Sequence, residues 1–199
     1  MKTLLLVDLQ NDFVTGSLAV SGGGEVIDVA NTLMRDGGYD LIVATQDWHP
    51  AGHKSFASSH DGKSPGDVID LDGLEQTLWP DHCVQDADGA AFCPGLDVGR
   101  IDEVVRKGTD PAIDSYSGFF DNGHRRATGL AGLLEGRGAT GLDVMGLATD
   151  YCVRFTVLDA LKLGHPVRLL TGGCRAVNLD PGDGAAAVAQ MEAAGATIA

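Results

Sequence analysis

The sequence predicts an α/β protein: one three-layer α/β/α domain spanning residues 1–199, with a mainly parallel central sheet of about six strands. Three observations carry this. Short apolar runs alternate with amphipathic stretches from one end of the chain to the other. The strand candidates are continuous apolar runs rather than alternating ones, the pattern of strands buried on both faces. A chain of 199 residues without an internal repeat also falls within the size of one ordinary domain.

Thr3 to Leu9 reads as the first buried strand, and Glu25 to Arg35 as a helix closed by Gly37-Gly38. Leu41 to Thr45 is the second strand. A long irregular segment follows, from about Asp47 to Leu96, rich in Gly, Pro, Ser and Asp. Such a loop inside a compact domain is uncommon and usually functional. Glu103 to Arg106 is the third strand, and Ala127 to Glu135 a short helix. Leu142 to Met145 is the fourth strand, Asp150 to Leu163 the helix after it, and Val167 to Leu170 the fifth strand. Pro181 stands near the start of a helix running to Ala194, where it is tolerated because first-turn N–H groups lack intrahelical partners. Ala196 to Ala199 closes the chain as an edge strand.

Composition excludes several functions. Hydrophobic residues make up 44% and charged residues 21%, the balance of a globular chain. Apolar runs such as Leu4 to Val7 fall far short of the roughly 20 residues of a membrane helix. Asp8, Asn11 and Asp12 break the first apolar stretch, which speaks against a signal peptide, so the expectation is a cytoplasmic protein with no membrane contact. A net charge of -14 argues against nucleic-acid binding, which needs clustered Lys and Arg. The four cysteines, Cys83, Cys93, Cys152 and Cys174, are too few and too scattered for a disulfide scaffold. Beyond these exclusions the charge favours solubility and says little else. The exclusions do not fix the oligomeric state, a homo-oligomer included.

Ligands of open α/β sheets bind beyond the carboxyl ends of the strands. That rule selects Asp8, Asp47, Lys107 and the segment Gly146 to Cys152. Cys152 sits where a strand turns into a helix, and a helix N-terminus favours thiolate and hence nucleophilicity. Taken alone, Cys152 reads as well as an inert core thiol, Asp8 as a capping aspartate and Lys107 as a loop lysine. Together they offer a nucleophile, a base for its proton and a cation to hold the charged pair.

A second set is Asp47-Trp48-His49 with Trp79-Pro80-Asp81-His82. Alternate residues of an extended segment point the same way, so Asp47 and His49 can face one ion, and His82 would complete a carboxylate and two-imidazole set. That set suits zinc, iron(II) or manganese with positions left open. By spacing alone the D-x-H pattern is weak. His53 is a reserve ligand, with Ser55 near it, and Cys83 a weaker one. His60, His124 and His165 read as surface or packing residues.

Val7-Asp8-Leu-Gln-Asn-Asp-Phe13, Gln46-Asp47-Trp-His49-Pro, Trp79-Pro-Asp-His82-Cys-Val, Arg106-Lys107-Gly108, Tyr116-Ser-Gly-Phe119 and Gly146-Leu-Ala-Thr-Asp-Tyr-Cys152-Val resemble the nicotinamidases of the isochorismatase-like cysteine hydrolases. The motifs keep that family's order along almost the whole chain. The resemblance implies a mainly parallel α/β fold and amide hydrolysis of nicotinamide, with pyrazinamide as a further substrate, in NAD salvage. It implies Asp8, Lys107 and Cys152 as the catalytic residues and Asp47, His49 and His82 as ligands of one divalent ion, zinc before iron or manganese. Phe13, Trp79 and Tyr116 would wall the pyridine ring. The N–H groups of Ala148 and Cys152 would form an oxyanion hole, after a cis peptide just before Ala148. Tyr151 departs from the family pattern, where His often precedes the nucleophile, and leaves the outer wall of the pocket open. The nearest rival is another amidase of the superfamily, acting on carbamoyl or ureido compounds. It would keep the cysteine triad but has no need of Asp47, His49 and His82.

Overall fold

In the computed structural model, which describes residues 1–199, the apolar runs become strands where the sequence predicts them. The first, β1 (Lys2–Val7), carries Leu4, Leu5, Leu6 and Val7, all fully buried. Apolar side chains on both faces of a strand can be satisfied only if both faces are covered. Truncating one of them, as in Leu5→Ala, costs about 2–5 kcal/mol.

After β1 come α1 (Asn11–Val14), α2 (Glu25–Asp36), β2 (Leu41–Asp47), β3 (Val68–Leu71), β4 (Leu74–Thr77) and β5 (Glu103–Lys107). Then follow α3 (Leu130–Arg137), β6 (Gly141–Leu147), α4 (Arg154–Lys162), β7 (Val167–Arg175), α5 (Asp183–Ala193) and β8 (Thr197–Ile198). Six strands form one sheet in the order β5-β2-β1-β6-β7-β8, parallel throughout. The helices α2 and α4 both pack on β7, and α4 and α5 lie against each other.

The chain builds outward from β1 in both directions, so the order reverses between β1 and β6. This is where a crevice opens beyond the carboxyl ends of the strands. Asp8 leaves β1 at that crevice and the segment after Leu147 leaves β6 beside it. The two strands approach closely there: Gly146 has φ +134°, and a Cβ on it would lie 2.1 Å from the Val7 carbonyl oxygen, so no other residue fits.

Element ends differ from the sequence expectation for local reasons. β1 stops at Val7 rather than Leu9 because Asp8 takes φ 51°, which turns the backbone out of the sheet. α3 starts at Leu130 rather than Ala127, after Gly129 in the left-handed conformation. One π-helical turn, Thr149–Val153, precedes α4 where an unbroken helix from Asp150 is predicted. β7 runs on to Arg175 through Gly172-Gly173, with a register shift against β6 between Val144 and Gly146. The segment predicted to be irregular between Asp47 and Leu96 holds an antiparallel hairpin, β3–β4. Its turn, Asp72-Gly73, has φ 55° and 82°, the Asp-Gly pairing that favours tight hairpins, and this signal was present in the sequence.

Candidate functional site

Asp8, Asp47 and Lys107 stand at or just past the ends of β1, β2 and β5, and Cys152 lies in the π-helical turn after β6. All four are buried. The Lys107 ammonium lies between the others. It donates to Asp47 Oδ1 at 2.9 Å and to the Ser115 carbonyl at 2.9 Å, and it lies 2.9 Å from Asp8 Oδ2 and 3.4 Å from Cys152 Sγ. Thr45 Oγ1 donates to Asp8 Oδ1 at 2.6 Å. Asp8 Oδ2 meets Lys107 off the line of a directed hydrogen bond and has no hydrogen-bond partner in the protein. A buried carboxylate oxygen left in this state is suited to taking a proton.

Two opposing effects act on Cys152. The helix N-terminus behind Cys152 suggests a stabilised thiolate. Burial instead pushes the thiol well above its ordinary value, and the Asp8 and Asp47 charges add to this against the opposing Lys107. Dehydration of the thiolate outweighs the helix dipole, so the resting group is a thiol that needs a base. Burial also raises the Asp8 carboxyl, with Asp47 adding to it and Lys107 opposing. Burial would lower the Lys107 ammonium, but Asp47 and Asp8 outweigh it and hold it firmly charged.

Beside this group, Asp47, His49 and His82 bring three ligand atoms within 4.8 Å of one another. His49 Nδ1 faces the Gly108 carbonyl at 2.9 Å, and His82 Nδ1 faces the Pro80 carbonyl at 2.8 Å. Carbonyls only accept, so each Nδ1 carries the hydrogen and each Nε2 keeps its lone pair for an ion. The two Nε2 atoms converge on Asp47 Oδ2 at 3.1 and 3.5 Å. Burial alone would lower the His49 imidazole, yet Asp47 raises it above its ordinary value: the corner draws positive charge. Two imidazoles and a carboxylate fit a divalent transition ion. Gly108 makes room for the set, since a Cβ there would lie 2.4 Å from the His49 ring.

Cys152 from the first group and Asp47 and His82 from the second line one cavity, with about 330 Å³ free of protein atoms, together with Phe13, Trp79, Tyr116, Ala148 and Tyr151. Trp79 and Tyr151 meet edge to face at 4.7 Å, and Tyr116 and Tyr151 at 5.4 Å, so Tyr151 is itself a wall. The Leu147-Ala148 peptide is cis. A larger, more open depression, about 860 Å³ free of protein atoms, lies beside Lys107, lined by Arg106, Asp110, Asp121 and Arg126, but Cys152 and the aromatic walls are not part of it.

His53 lies outside the ligand set. Its ring packs 4.3 Å from His49, and its Nδ1 accepts the Ser55 amide at 3.1 Å with Ser55 Oγ at 2.8 Å. Cys83 is also outside it: its thiol approaches the Gly89 carbonyl. Sequence reasoning missed Gln10, Thr45, Gln76 and Asp114. Gln10 brackets Asp47, accepting its amide at 2.8 Å and donating to its carbonyl at 2.8 Å. Gln10 stands inside the first quoted motif, so a signal for it existed. Asp114 stands in none.

Known proteins share both sequence and shape with this chain. Residues 2–199 match the isochorismatase domain family. The nicotinamidase of Escherichia coli K12 is 54% identical over 200 residues, covering 99% of this chain and 93% of its own. A nicotinamidase/pyrazinamidase of Acinetobacter baumannii superposes with a TM-score of 0.94 at 40% identity, over 99% of this chain and 94% of that one. A pyrazinamidase of Pyrococcus horikoshii, solved in complex with zinc, superposes at 0.80 with 36% identity, over 100% and 98%. With the match running from Lys2 to the last residue, the chain belongs to the isochorismatase domain family.

Proposed function

We infer that this chain is an amidohydrolase that cleaves nicotinamide to nicotinate and ammonia, with pyrazinamide as a second substrate. One observation carries the reading: the buried thiol lines the same aromatic-walled cavity as Asp47 and His82, two members of the Asp47, His49, His82 corner. A flat ring between Phe13, Trp79 and Tyr116 would present one edge to the corner and its carboxamide to Cys152. Amidases of carbamoyl or ureido compounds need the thiol but not the corner. The names of the relatives in E. coli and A. baumannii support the same substrate.

Asp8 takes the proton of Cys152, and Lys107 holds the resulting ion pair. The thiolate attacks the amide carbon, and the oxyanion forms against the amides of Ala148 and Cys152. Removing one such donor typically costs about 100- to 1000-fold in rate. Asp8 returns its proton to the departing ammonia, leaving a nicotinoyl thioester. Asp8 then takes a proton from water, which attacks the thioester. Nicotinate leaves and the thiol regains its hydrogen. An ion at Asp47, His49 and His82, zinc before iron or manganese, would bind the pyridine nitrogen and orient the ring. Four free thiols suit a reducing compartment, and the reading is of a cytoplasmic enzyme of NAD salvage.

The test is ammonia release from nicotinamide before and after chelation. Turnover that falls on chelation and returns with zinc is expected. No release from metal-loaded protein would end the reading.

A further inference from the structure

Asp114 is a buried carboxylate that the mechanism above does not use. It lies on the segment between β5 and α3, is 2% exposed, and lines the cavity that holds Cys152. Its Oδ1 accepts the Ser115 amide at 2.7 Å and stands 4.0 Å from His49 Nε2, the nitrogen that points into the metal corner. That gap is too long for a hydrogen bond. Its Oδ2 accepts Gln76 Nε2 at 3.2 Å. Gln76 Nε2 also lies 3.0 Å from Tyr116 Oη, which accepts Trp79 Nε1 at 3.0 Å, and 2.7 Å from the Thr77 carbonyl, so its two hydrogens serve two of these three acceptors at a time. One carboxylate thus connects the metal corner with two walls of the ring site, through a glutamine on the β3–β4 hairpin.

Charge explains why an acid should be there. Asp8, Asp47 and Asp114 carry three negative charges in a space with one cation, Lys107, and each of the four is at most 3% exposed. Two uncompensated negative charges at such depth are costly. A divalent ion brings the sum to zero. Without Asp114, the same ion would leave a buried net positive charge. Asp114 also lies outside the set of three ligand atoms, so its action on an ion is through space or through water.

We propose that Asp114 is a positioning residue of the metal corner: its carboxylate balances the charge of the divalent ion and orders water at the ion's remaining positions, while Gln76 fixes it and ties it to Tyr116 and Trp79. This rests on the metal reading of the site given above. Groups that orient a metal site from outside its ligands typically contribute 10- to 100-fold in affinity.

Zinc affinity, measured by competition with a chromophoric chelator, tests the proposal on wild type, Asp114→Asn, Gln76→Leu and, as a reference, His49→Ala. Asparagine keeps the volume and the acceptor for Ser115, so a merely structural role would leave zinc affinity unmoved. The expected result is about a 10- to 100-fold loss for Asp114→Asn. A smaller loss is expected for Gln76→Leu, with a raised KM for nicotinamide. Turnover of Asp114→Asn should largely return at saturating zinc. Wild-type affinity in Asp114→Asn overturns the proposal and leaves the metal reading standing, whereas a wild type that takes up no zinc ends both. Should Asp114→Asn lose its native circular dichroism, Gln76→Leu decides, and unchanged zinc affinity there overturns the proposal.

Discussion

Two clusters of charged groups sit on the same sheet and are built on opposite terms. Within the strands, Asp143 of β6 is saturated: Tyr39 Oη donates to its Oδ2 at 2.6 Å, and Arg168 donates to Oδ1 at 2.8 Å and to Oδ2. One acid meets one base, and every oxygen has a donor. At the carboxyl ends of the strands, two acids, Asp8 and Asp47, share one lysine, and Asp8 Oδ2 has no hydrogen-bond partner. The first arrangement is what a charge looks like when it only has to be held. The second keeps an acceptor free and a charge imbalance in place, which a fold tolerates where chemistry or an ion will use them.

Breaking the site should therefore abolish rate and spare the fold. Cys152→Ala and Asp8→Asn are each expected to lower kcat/KM for nicotinamide by at least about 1000-fold, because nucleophile and base act as one unit. Thermal melting should stay within a few degrees of wild type, and hydroxylamine should divert the thioester of the intact enzyme to nicotinohydroxamate. Normal turnover in Cys152→Ala would remove the covalent mechanism.

A milder way to sharpen the contrast is to vary the substrate. Nicotinamide and pyrazinamide both place a ring nitrogen meta to the carbon bearing the amide. Benzamide has none, and isonicotinamide has it in a position that would swing the carbonyl from Cys152. Misplacement by about 1 Å can cost on the order of 100-fold, so kcat/KM for both should fall by at least about that factor, or about 2.7 kcal/mol. Steady-state ammonia release from the four amides measures this. Benzamide reacting as fast as nicotinamide would mean that the corner does not read the ring.

The balanced cluster should give the reverse result, a small stability effect and none on rate. Asp143→Asn removes charge-assisted hydrogen bonds, but Arg168 is 44% exposed, so screening by water limits the loss to about 1 kcal/mol. Burial would raise the Asp143 carboxyl, yet Arg168 and Tyr39 hold it below its ordinary value. Its contribution is then fully present above the unfolded value of about 3.9 and disappears as pH falls through the lower folded value. Melting curves from pH 7 to pH 3 should show the gap between wild type and Asp143→Asn closing at the acid end. A gap that widens there would reverse the sign of the argument.

The sheet was legible because Leu4 to Val7 and Leu142 to Met145 have no polar interruption, and the site because strand tips collect ligand-binding residues. Strand order was not legible, since parallel strands pair with no local signal. Asp114 and Gln76 escaped for another reason. Each reads as an ordinary polar residue of a loop, and only the return of the β3–β4 hairpin against the segment before α3 brings them together. The depth of Cys152 was not legible either, because spacing reports the helix behind the thiol but not its burial.

His49 and His82 are separated by the hairpin and by the largely irregular chain around it. An ion held by both would act as a cross-link across that stretch. An ion that binds the folded chain and not the unfolded one stabilises that stretch by its binding free energy, so the effect grows with free ion concentration. Loss of the ion would then loosen the hairpin segment before it touched the sheet, and protease cutting between Pro50 and Trp79 would report it.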